Sequence, residues 1–283
     1  MPFALPRVSA AARRRAERLL AALRRDYPGA VCELHYTGPH ELLVATILSA
    51  QSTDAGVNKA TPALFAAFPS PAHLAGATPE QIEPYIRTIG LYRNKARSIH
   101  EAMKGVMERF GGQVPRTMEE LLTLRGVARK TAGVVLSNCF GVHAGVVVDT
   151  HVHRLAQRLG LVARGASVAK TERALMALFP RPAWGDLSHM LIWHGRRACK
   201  ARGSACADQA ICAEFGARCE LRTPGGRGAG GIVPAQTSGD RSTRTSVQLR
   251  IKGAPAKAAK RAAARGEKSN KDQAKRARQE SNL

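Results

Sequence analysis

The sequence predicts an all-α protein, on three grounds: helix-start signals, amphipathic spacing, and no pair of strand-like runs. Thr78-Pro79-Glu80-Gln81 places an N-cap, a proline in the first turn and a glutamine that closes a capping box. Thr117 to Glu120 is a second capping box, leading into Leu121, Leu122 and Leu124. Val152, Leu155, Ala156 and Leu159 follow helical spacing, and Gly160 ends that run. Leu187, Met190, Leu191 and His194 make another stripe, closed by Gly195. Val146-Val147-Val148 is the one β-like run. Without a partner it makes no sheet, so it reads as a buried approach to the next helix.

The chain has 283 residues, enough for one large domain or two small ones. Its formal net charge of +23 points to a polyanion partner. Nucleic acid is the commonest, and an acidic membrane surface is the rival. No apolar run approaches the roughly 18 residues that a membrane span needs. The arginine-rich start, Arg13 to Arg18, lacks the apolar stretch of a secretory signal, so the expected compartment is the cytoplasm.

Composition changes sharply near Thr223. From Arg222 to Leu283 there is no aromatic residue, and 15 Lys/Arg stand against 4 Asp/Glu. Such a tail buries too little apolar surface to offset its chain entropy. A disordered basic tail over 222–283 is expected, either making non-specific phosphate contact or simply solvated with no specific role.

Four of the six cysteines fall close together, as Cys199-x6-Cys206-x5-Cys212-x6-Cys219. In a chain without a secretory signal, this clustering argues for metal rather than disulfides. Four thiolates suit either a cubane iron–sulfur cluster or a tetrahedral zinc, and a site that binds nothing is the third reading. Cys32 and Cys139 lie in apolar surroundings and read as core thiols.

Leu124-Arg125-Gly126-Val127-Ala128-Arg129-Lys130-Thr131-Ala132 sits between two helical patterns. Glycine lets the backbone turn tightly, and the next helix presents its free N–H groups and dipole at once. Such a turn holds a DNA phosphate without reading sequence.

Here the chain resembles the endonuclease III family of helix-hairpin-helix DNA glycosylases, from about Arg18 to Cys212. Further motifs carry the resemblance: Leu48 to Asp54, Val57 to Thr61, Thr88 to Tyr92 with Lys95-Ala96, and Val148-Asp149-Thr150-His151. Two departures lie in the hairpin. Arg125 stands where the family has proline, and Ala128 where it has a second glycine. If that position needs positive φ, alanine there would cost roughly 1 kcal/mol and weaken the grip on phosphate. Arg125 would recover some of it as a cation.

The resemblance implies a two-lobed fold with a cysteine-ligated metal-cluster loop. It implies a six-helix domain with the hairpin over 32–143, and a second helical domain from 1–31 and 144–221. It also implies a monomeric bacterial enzyme, associated with the nucleoid, that removes oxidised pyrimidines from duplex DNA and cuts at abasic sites. Lys130 would attack the sugar carbon bearing the base and form a Schiff base, whose acidified neighbouring proton permits β-elimination. A helix N-terminus disfavours an ammonium and so suits such an amine. Asp149 is an N-cap by its position, and the resemblance makes it a proton carrier and counter-charge.

The target base must leave the stack. Gln51 and Leu91 match family positions that fill the resulting gap, and His151 is a further candidate. Arg125, Gly126, Val127, Ala128 and Arg129 would hold the backbone, with Lys200 and Arg202 contacting phosphate beside the cysteines. The family carries a [4Fe–4S] cluster on cysteines spaced x6, x2, x5. Cys199, Cys206, Cys212 and Cys219 depart from that spacing. Counted forward from Cys199, Gln209 takes the third place; counted back from Cys212, Cys206 is the third and the second is lost. Either way Cys219 is the natural substitute. A mismatch or adenine glycosylase of the same superfamily typically lacks the hairpin lysine. A non-catalytic DNA-binding protein remains the reading from another class.

Overall fold

The computed structural model describes residues 4–202 and 209–216, which form helices and loops with no strand among them. Cys206, Cys219 and the basic tail lie outside the described residues. α1 (Ala10–Asp26) starts at Ser9, whose hydroxyl accepts from the Ala12 amide. α2 (Pro39–Ser49) is apolar all round and buried from Glu41 to Leu48, so it forms the middle of a core rather than one face of it. α3 (Asp54–Ala67), α4 (Pro71–Gly76) and α5 (Pro79–Ile86) follow, the last with the expected capping box. α6 (Tyr92–Phe110), α7 (Met118–Leu121) and α8 (Arg129–Phe140) complete this stretch. Their apolar faces meet in one cluster, with Leu42, Leu43, Ile82, Ile99 and Leu136 at its centre.

α9 (Thr150–Arg158), α10 (Val168–Leu178), α11 (Trp184–Arg197) and α12 (Ala210–Phe215) pack with α1 around a second cluster that includes Leu19, Leu23, Leu155, Leu175, Leu191 and Phe215. The chain's first helix therefore closes the core built by its last ones. Arg15 reinforces this closure from inside, donating to Leu159 O at 3.1 Å and Phe215 O at 2.8 Å. Val146 and Val148 are buried in this second cluster and lead into α9 as irregular chain, as their short run implied.

Two helix ends differ from expectation. α7 lasts a single turn, leaving Leu122 exposed while Leu124 turns into the core. α11 runs through Gly195 to Arg197. Gly195 is there for close approach: a Cβ would stand 3.1 Å from both His151 Cβ and the Arg154 guanidinium. No described helix is long and apolar enough to cross a membrane.

Candidate functional site

The connection from α7 to α8 turns at Gly126, whose φ of +75° is reserved for glycine in practice. A Cβ there would also meet Ser98 Cβ at 2.9 Å. Ala128 is the N-cap of α8 with φ −91° and ψ 168°, ordinary extended backbone. The second glycine is not required at this position, so the expected strain at Ala128 is absent. Ala128 offers no side-chain cap, which leaves the leading amides of α8 available to an anion.

The three cations of this segment diverge. Arg125 pairs with Glu101 at 3.4 Å, and Arg129 grips Glu172 of α10 through Nε and Nη2, the shortest contact being 2.8 Å. Lys130, in the first turn of α8, has no hydrogen bond or ion pair among the described residues. It lines a largely apolar pocket of about 90 Å³ to which Asp149, Asp54, Ser137, His189 and Arg196 also contribute. The pocket walls come from both hydrophobic clusters.

Asp149 caps α9, accepting from the Val152 amide at 2.8 Å. Asp54 ends the Leu48 to Asp54 motif, where no contiguous feature marks it as functional. Burial raises its carboxyl above the ordinary range, and the nearby Asp149 charge adds to this against Lys130 and His151. Its Oδ2 lies 2.7 Å from Arg196 Nη2, and Arg196 also grips Glu33. Arg196 thus links α11 to the start of α3 along the pocket wall. Cys32, expected as a core thiol, is half-buried, packs against the first cluster and also lines this pocket. Cys139 is likewise half-buried, and burial pushes its thiol up to about 11.

Gln51 and Leu91, at φ 55° and 60°, are the only non-glycine residues in the left-handed region among those described. Such strain persists only where the surroundings impose it. Lys95 supplies that constraint. Its buried ammonium donates to Leu48 O at 2.9 Å, Ala50 O at 2.6 Å and Ser52 Oγ at 3.0 Å. Its own amide donates to Leu91 O at 3.1 Å. The Lys95 side chain therefore holds the chain on both sides of Gln51, while Leu91 is held as the N-cap of α6; both strained residues are exposed.

Beyond His151 the site runs into the cysteine loop. Arg154 Nη2 approaches His151 Nδ1 at 3.4 Å and donates to Gly195 O and Cys199 O. Arg158 donates to Cys199 Sγ at 3.2 Å and to Lys200 O at 2.7 Å. Lys200 and Arg202 are exposed there. His194 Nε2 lies 3.2 Å from Cys212 Sγ, and the Tyr27 hydroxyl meets Nδ1 at 2.8 Å. His194, Cys199 and Cys212 are all buried, a donor set that suggests a metal site. The Cys199 thiol is drawn down to about 6, chiefly by its hydrogen bond with Cys212. Burial pushes His194 down to about 4.

A family model for the HhH-GPD superfamily of base excision DNA repair proteins matches residues 44–181. Endonuclease III of Synechocystis sp. is 51% identical over 204 residues, 72% of this chain and 93% of that protein. Endonuclease III of Bacillus subtilis is 46% identical over 64% of this chain and 83% of its own length. A solved structure of a trapped endonuclease III–DNA covalent intermediate is 41% identical, with a TM-score of 0.68 over 70% of this chain and 93% of that one.

Proposed function

From a chain that belongs to the endonuclease III family of the HhH-GPD superfamily, we infer a bifunctional DNA glycosylase and abasic-site lyase of base excision repair, using Lys130 as nucleophile. The observation that carries this reading is the untied Lys130 amine at the first turn of α8, lining one pocket with two carboxylates.

The Lys130 amine attacks the sugar carbon of a flipped nucleotide, and the bond to the base breaks as the new C–N bond forms. The leaving base takes a proton. The sugar opens to an imine with Lys130, and this makes the adjacent carbon's proton acidic. Loss of that proton expels the 3′ phosphate oxygen and nicks the strand. Asp149 balances the cationic sugar and moves protons, one oxygen still capping α9. Asp54 adds a second negative charge, and Arg196 orients it.

Duplex DNA is the partner, and oxidised pyrimidines and abasic sites are the lesions. Gln51 and Leu91 fill the gap left by the flipped nucleotide, with His151 beside them. Gly126, Val127 and Ala128 bind phosphate through backbone amides, and Lys200 and Arg202 add charge. Arg125 and Arg129 reach phosphate only by giving up Glu101 and Glu172. The protein acts as a monomer in the bacterial cytoplasm on nucleoid DNA. Its domains divide near residues 32 and 143, and the 222–283 tail adds charge.

The family implies a [4Fe–4S] cluster on the cysteine loop. The thiolate chemistry of Cys199 and Cys212 suits iron and sulfide, but their spacing with His194 does not suit a cubane, and no reaction step passes through it.

Incubating the protein with duplex DNA bearing one thymine glycol or abasic site, with borohydride present, tests the reading. A covalent complex that disappears in Lys130→Ala is expected. Normal binding with no complex would leave a DNA-binding module without chemistry.

A further inference from the structure

His194 Nε2, Cys199 Sγ and Cys212 Sγ all lie within 4.8 Å of one another, with Nε2 3.2 Å from Cys212 Sγ. Donors that share one tetrahedral ion, at metal–sulfur distances near 2.3 Å and metal–nitrogen near 2.0–2.1 Å, stand roughly 3.5–3.8 Å apart. In a cubane each thiolate binds its own iron, which holds the sulfurs further from one another. The described donors have the closer spacing. One of them is an imidazole, in a chain whose cysteine spacing departs from the family's.

We propose that His194, Cys199 and Cys212 hold a single ion of the zinc class through one imidazole nitrogen and two thiolates, with one coordination position left for a further donor. The surroundings suit this. When Nε2 binds a metal, Nδ1 carries the proton and donates it to the Tyr27 hydroxyl, 2.8 Å away. That contact fixes the tautomer and aims the ring, as outer partners of metal-bound histidines do. Arg158 donates to Cys199 Sγ at 3.2 Å and offsets thiolate charge. Arg154 holds Cys199 O at 3.0 Å and Gly195 O at 2.9 Å, pinning the loop to α11.

The donors and their partners come from α1, α9, α11, α12 and the loop after α11. A single ion there ties together the helices of the second cluster, and its role is structural. The proposal does not depend on Lys130 chemistry, so either can fail without the other.

The test uses full-length protein, expressed with both iron and zinc supplied. Metal analysis is expected to find zinc bound. X-ray absorption at the zinc edge is expected to show nitrogen near 2.0–2.1 Å beside sulfur near 2.3 Å. Tyr27→Phe should lower zinc affinity about 10- to 100-fold in competition with a chelating dye, through loss of the outer partner. His194→Cys should keep the metal and lose the nitrogen shell. The proposal is overturned by bound iron and sulfide with the spectrum of a cubane, by a zinc shell of sulfur alone, or by a wild type that binds no zinc.

Discussion

The two faces of α11 put similar side chains to opposite uses. On one face Ser188, His189, Ile192 and Arg196 line the pocket that holds Lys130. On the other, Met190, Leu191 and His194 are sealed into the second cluster. The pocket leaves its amine untied, while the sealed face gives both His194 nitrogens a partner. A reactive group needs freedom to meet substrate, whereas a structural donor needs a fixed position. One helix serves both because its faces belong to different environments.

The largest effect is expected on the pocket side. Asp149→Asn should lower kcat on an abasic duplex about 10²- to 10⁴-fold. Asparagine still caps a helix, so the melting temperature should hold. A variant that loses stability but keeps kcat would reduce Asp149 to a cap.

Next comes Lys95, which belongs to neither face of α11 but holds the chain on both sides of Gln51. Lys95→Met removes hydrogen bonds from a charged donor, each worth about 1.5–3 kcal/mol. Lesion binding should weaken along with urea stability. Unchanged discrimination between damaged and undamaged duplex would separate Gln51 from lesion recognition.

Acid should probe the two faces together. Burial lowers the affinity of His194 and His189 for a proton, His194 to about 4. The unfolded chain then binds more protons than the fold between the ordinary histidine value near 6.5 and the depressed one. Stability should therefore fall as pH drops through that window, with chelator present. His189→Gln should remove only the pocket's share of the slope. A flat profile from pH 7 to 4 would contradict the buried neutral assignment.

Smallest are the hairpin effects, which are expected to be unequal. Gly126→Ala meets both a positive φ and Ser98, so roughly 1 kcal/mol or more of stability should go, and DNA affinity with it. Ala128→Gly should change little. Glycine is the better N-cap, but it loses more chain entropy. Tighter DNA binding in Ala128→Gly would show that the second glycine matters after all.

This contrast marks how far a sequence can be read. Capping boxes, the glycine turn, and the Lys130 and Asp149 motifs are contiguous, so local chemistry reveals them. Asp54, Arg196 and Lys95 acquire meaning only by meeting across the chain; Arg196 and Asp54 are 142 residues apart. Gly195 reads as a helix stop because sequence shows its lost Cβ but not His151 lying against it. Ala128 reads as strained because the motif records a glycine without its φ. His194 reads as one apolar stripe member, since Tyr27 and Cys212 approach it only in the fold.

The most direct test of the account is to find the atom that carries the DNA. The borohydride-trapped complex would be digested, and the peptide bearing the sugar fragment identified by mass spectrometry. A reduced adduct on Lys130 Nζ is expected. An adduct on another amine, with Lys130 unmodified, would contradict it.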